Sequence, residues 1–227
     1  MEKKSNILAK LDKIFSIFMF IVVPIGLYFA FIYAPTEKQM GLIQRIFYFH
    51  VSSAWIGFFA FFVTFLASIL FLVTKKYKYD DIAAASAGIG LTFCTIVILT
   101  GPMWARPVWG AYWTWDPRLT TTLILWFIYV AYLMLRVFLE DIDKRAKFSA
   151  ALGIIGFVDV PIVFLSIRWW NTIHPNVVQS GGGGLDPAMK TAMFVCLGMF
   201  TLIYIALMIR QLRIINIEKR IKILESE

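Results

Sequence analysis

The sequence predicts an all-α integral membrane protein of six transmembrane helices, with both termini cytoplasmic and a tryptophan-rich outer loop between helices 3 and 4. Three observations predict it. The chain of 227 residues is 60% hydrophobic and only 16% charged, with a mean hydropathy of +0.76. A soluble domain of this size cannot hide that much apolar surface. The apolar residues fall into six runs, each close to the ~20 residues that span a bilayer as a helix. The basic residues are distributed unevenly between the segments joining those runs, as they are in multi-pass proteins. The net charge of +8 is explained in this way and does not require nucleic acid as a partner.

Residues 1–13 are polar and basic, with Lys3, Lys4, Lys10 and Lys13. The first span is expected at 14–34; Pro24 within it is tolerable in lipid. This run is as long as a spanning helix and no small-residue cleavage site follows it, so it does not read as a cleavable signal. An outer loop, 35–50, carries Lys38 and Arg45 and ends at His50. The second span, 51–74, is followed by Lys75, Lys76 and Lys78. The third, 82–103, opens on alanine, serine and glycine residues that suit close helix packing. The second outer loop is 104–118. The fourth span, 119–139, precedes a charged turn over 140–147; the fifth is 148–167. A third outer loop, 168–190, contains Trp169, Trp170, His174 and the run Gly181–Gly184, expected to be flexible. The sixth span is 191–209, and a tail alternating charged and aliphatic residues is expected to form a short surface helix.

Six spans put both termini on one side. Sixteen of the 22 lysines and arginines lie on that side and six on the other, which makes the termini cytoplasmic by the positive-inside rule. His50, the tryptophan loop and His174 then share the outer surface. They include the chain's only two histidines. Cys94 and Cys196 each lie within an apolar run, without Cys-x-x-Cys or Cys-His spacing, and read as inert core residues.

Trp104, Trp109, Trp113 and Trp115 place four of the eight tryptophans within a dozen residues. Tryptophan gathers at membrane interfaces in any case, and Trp55, Trp126, Trp169 and Trp170 fit that plain reading. Crowding in one loop favours a platform for a ligand. Neutral imidazole is a haem-iron ligand. A haem is flat, apolar over its rings and anionic at its propionates. Indole and phenol rings can stack on it, and Arg106, Arg118, Arg168 or Arg45 could pair with the propionates. His50 and His174 are the candidate axial ligands. Asp116 either caps the helix that follows or orients Arg118. Asp159, at mid-span beside Pro161, marks a kink, a partner contact or a polar cavity, or is a protonated structural residue.

The stretch Trp109-Gly110-Ala111-Tyr112-Trp113-Thr114-Trp115-Asp116-Pro117-Arg118-Leu119-Thr120 resembles the WWD signature of the haem-handling proteins of cytochrome c maturation. Over essentially the whole chain the length, six spans and flanking histidines resemble the CcmC, or haem exporter protein C, family; Arg168–Pro175 is similar to that family's third outer loop. The resemblance implies a protein of the bacterial inner membrane that binds haem b transiently and non-covalently on the periplasmic side. It implies delivery to a CcmE-type haem chaperone, and partnership with a CcmD-type small subunit and CcmA/CcmB-type transporter subunits. It makes His50 and His174 axial ligands, and Trp109, Trp113, Trp115 and Asp116 a haem and chaperone platform. Transfer rather than catalysis is expected. No phosphate-cradling Gly-x-x-x-x-Gly-Lys-Ser/Thr is present, which assigns any ATP hydrolysis to partners. The rival readings are a CcsA-like cytochrome c synthase component and a docking subunit that binds no haem. Such synthases are larger and carry additional intramembrane histidines, which this chain lacks.

Overall fold

The computed structural model describes residues 2–170, Thr172, His174 and residues 185–225, with side chains from residue 7 onward. Among these residues there are six helices long and apolar enough to cross a membrane. Helix α1 (Glu2–Tyr28) continues as a wider π-helical turn, Phe29–Tyr33. A 3₁₀ turn, Leu42–Arg45, leads into α2 (Ile46–Thr74). Then follow α3 (Tyr77–Trp109), α4 (Pro117–Phe138), α5 (Ile142–Trp169) and α6 (Pro187–Leu224).

The helices outrun the apolar stretches. His50 lies in the second turn of α2, not at the end of a loop, because nothing between Ile46 and Val51 breaks a helix. Trp104, Arg106 and Trp109 belong to the last turns of α3, which tolerates Pro102 and Pro107. The non-helical connection is thereby reduced to 110–116. Gly110 ends α3 in the left-handed region at φ 76°, where a side chain would be strained, and its N–H donates to the Arg106 carbonyl at 2.9 Å. The tail is not a separate surface helix. It extends α6 without a break, since no proline or glycine interrupts 210–224. The Gly181–Gly184 run lies outside the described residues.

Helix α2 sits between α3, α5 and α6, and small residues let it do so. Gly90 of α3 faces Phe61 of α2; a Cβ there would come within 2.7 Å of the Phe61 ring. That ring cannot retreat, because it stacks on Tyr129 of α4 at 3.6 Å. Ser86 donates to the Ala60 carbonyl at 2.7 Å across the same α2–α3 contact. The expected small-residue packing of α3 is thus visible atom by atom: Ala83, Ala85 and Ala87 are buried beside it. Outward faces remain apolar, with Phe20, Val73 and Val137 exposed as lipid-facing side chains must be.

Ion pairs gather at the end of the bundle that carries the termini. Asp12 of α1 accepts from Arg210 at 3.1 Å and Arg213 at 2.7 Å on α6. Asp81 of α3 accepts from Lys219 of α6 at 2.6 Å. Asp80 of α3 takes a two-pronged guanidinium contact from Arg136 of α4 at 2.6 and 2.9 Å. The opposite end is built from aromatic rings.

Candidate functional site

At that aromatic end α2 to α6 enclose a cavity of about 340 Å³, within the range that takes small-molecule ligands. His50 and Trp55 reach it from α2, and Trp104 and Trp109 from the end of α3. Trp113 comes from the connection, Arg118 from the start of α4, Arg168 from the end of α5, and His174 from beyond it. Phe61 and Cys94 line it more deeply. The two histidines, 124 positions apart in the chain (174 less 50), therefore face one space.

Each group is held. The His50 Nδ1 atom is 2.9 Å from the Thr100 hydroxyl of α3. The His174 ring meets Trp109 edge to face, with centroids 6.1 Å apart and planes at 62°. Trp109 in turn packs perpendicular to Trp104 at 5.5 Å. The indole N–H of Trp104 is buried and has no hydrogen-bond partner among the described residues. It is a donor placed in an aromatic wall.

Asp116 does not line the cavity. It caps α4, accepting from the Arg118 N–H at 3.0 Å, with Pro117 at the first helical position. Its other oxygen accepts from the Thr172 hydroxyl at 2.5 Å, and Thr172 accepts from the His174 backbone N–H at 3.0 Å. Capping is therefore its role within α4. Beyond that, it ties the segment bearing His174 to the start of α4. Asp116→Ala is expected to cost about 1 kcal/mol of stability through the cap and to loosen that segment. Asp116→Asn, an equally good cap, should keep α4 capped while losing the acceptor for the Thr172 hydroxyl, and so should fall between the parent and Asp116→Ala. Thermal unfolding in detergent checks both.

Three other candidates stand apart from the cavity. Arg106 is exposed and lies over the Tyr112 ring, 4.8 Å from its centroid. Trp115 is 77% exposed and packs edge-on against Trp113 at 5.9 Å. Arg45 donates to the Phe31 carbonyl instead of reaching inward. Trp169 and Trp170 pack on each other at the surface, as interfacial residues do. Thr100 and Phe164 are contributors that sequence patterning does not reveal, because each is one more apolar-run residue until the helices are brought together.

The donor set decides what metal chemistry fits. Among the described residues no group of three or more His, Cys, Asp or Glu could hold a bare ion. Two imidazoles suit an iron that brings its own equatorial nitrogens. Aromatic walls suit a flat ring system, and Arg118 and Arg168 suit its carboxylates.

These features define a multi-pass α-helical membrane protein with an aromatic, two-histidine cavity at one end. The family model described as CcmC, heme exporter protein C, matches residues 2–227, and the chain belongs to that family. It is 35% identical over 207 residues to heme exporter protein C of Bradyrhizobium diazoefficiens, covering 90% of this chain and 78% of that one. To heme exporter protein C of Escherichia coli K12 it is 34% identical over 204 residues, covering 88% and 82%. A ccmC-like mitochondrial protein of cytochrome c biosynthesis from Marchantia polymorpha is 32% identical over 184 residues, covering 81% and 78%.

Proposed function

We propose that this chain takes part in cytochrome c maturation by holding haem in the aromatic cavity and passing it on. The observation that carries the reading is that both histidines of the chain line one cavity, walled by tryptophans and edged by Arg118 and Arg168. His50 and His174 would hold the haem iron. Trp104, Trp109 and Trp113 supply the apolar walls, and the two arginines receive the propionates. The cargo is haem b, bound without a covalent bond and released again, so the chain is a transfer protein and not an enzyme.

The uneven Lys and Arg distribution supports cytoplasmic termini with the cavity at the outer face, and on this reading the membrane is a bacterial inner membrane. Haem leaves from there to a periplasmic chaperone of CcmE type, for which the exposed Trp115 beside Trp113 offers a contact. A CcmD-type subunit and CcmA/CcmB-type transporter subunits complete the assembly. Titrating the purified apoprotein with haemin is expected to give a saturable Soret shift at one haem per chain. Haem should then pass to an added chaperone domain. A chain that takes up no haem would favour the docking-subunit reading.

A further inference from the structure

We propose that Thr100 sets the tautomer of His50, keeping the ring proton on Nδ1 so that Nε2 presents a bare lone pair to the iron. The inference rests on the haem reading above and adds a positioning residue to it.

The argument is a count of protons. The Thr100 hydroxyl has one proton, and its oxygen lies 2.7 Å from the Ile96 carbonyl one turn back, to which it donates. The same oxygen lies 2.9 Å from His50 Nδ1. With its proton committed to Ile96, Thr100 can only accept there. His50 then carries its proton on Nδ1, and a chain of two hydrogen bonds runs from imidazole to hydroxyl to carbonyl. In the other tautomer Thr100 would turn its proton to Nδ1 and give up Ile96. The proton on Nε2 would have no acceptor among the described residues, in a cavity walled mainly by aromatic and aliphatic side chains. Within the protein, the first arrangement makes two bonds and the second makes one. The ring lies beside the next residue of α3, Gly101, where an added Cβ would only be in ordinary contact with His50 Cε1 at 3.6 Å. Metal-bound histidines are commonly held in this way by a partner on the other nitrogen, which fixes the tautomer and aims the ring.

The chain has two histidines, which makes the test direct. The full-length, haem-free protein is labelled with ¹⁵N-histidine in detergent, and His174→Ala identifies the His50 signals. The expected spectrum shows His50 protonated at Nδ1 and unprotonated at Nε2. Thr100→Ser should keep that pattern and bind haemin like the parent. Thr100→Val, of the same shape but without the hydroxyl, should populate the Nε2–H form and bind haemin about 10–100-fold more weakly. A parent His50 carrying its proton on Nε2 would overturn the proposal, and that measurement decides it even if the valine variant does not fold. So would a folded Thr100→Val that keeps the Nδ1–H form and the parent's affinity. A parent that shows the Nδ1–H form yet takes up no haemin would remove the haem reading and leave the tautomer assignment standing.

Discussion

His50→Ala and His174→Ala are each expected to abolish the spectrum of bis-imidazole haem while leaving the protein folded. Both side chains line the cavity instead of filling the packed core, so their removal costs coordination more than packing. Loss of an outer partner to a metal-bound histidine weakens binding about 10–100-fold. Loss of the ligand itself should exceed that range. The Soret band should shift to a five-coordinate form or disappear, and added imidazole should restore it by occupying the space left behind. The double variant should not be restored to the parent level. Haemin titration followed by absorption, with circular dichroism to establish folding, measures all of this. An unchanged spectrum in either single variant would remove that residue from the coordination sphere.

The second large effect lies at the far end of the bundle and concerns stability. Asp80 is 5% exposed and its carboxylate receives both prongs of Arg136 at 2.6 and 2.9 Å. The Tyr132 ring lies 5.9 Å from the guanidinium. Removing one member leaves an uncompensated charge where water is scarce. Asp80→Leu or Arg136→Leu should therefore cost about 3–5 kcal/mol. Replacing both with leucine should recover most of the loss, because a buried pair stabilises little relative to well-packed apolar residues. Denaturant unfolding in detergent, with a double-mutant cycle over the four proteins, gives the coupling. Haem binding by the doubly substituted protein should remain, since the pair lies at the end of the bundle opposite the cavity.

The six helices were legible because the bilayer requires length and apolarity together, and no other structure of this composition satisfies its backbone. Their ends were less legible, because hydropathy does not stop a helix. Caps and turns do. Asp116-Pro117 and Asp186-Pro187 begin α4 and α6, and Gly110 ends α3, whereas no comparable signal stands at His50 or Trp104. At the site, the two histidines and Trp104, Trp109, Trp113 and Arg118 could be collected from their types and their shared side of the membrane. Arg106 could not be told from Arg118 by sequence: α3 runs on through Arg106 and turns its guanidinium onto Tyr112, while Asp116 starts α4 so that Arg118 faces inward. Thr100 was beyond reach, since its meaning depends on a residue 50 positions away. Asp159 lies in α5 with Oδ2 buried and without a hydrogen-bond partner among the described residues.

The most direct test is an electron cryomicroscopy structure of the haem-loaded chain. The expected map shows the porphyrin in the aromatic cavity, with its iron bonded to His50 Nε2 on one face and His174 on the other, and its propionates turned to Arg118 and Arg168. A porphyrin bound elsewhere, or in the cavity with either imidazole away from the iron, would contradict it.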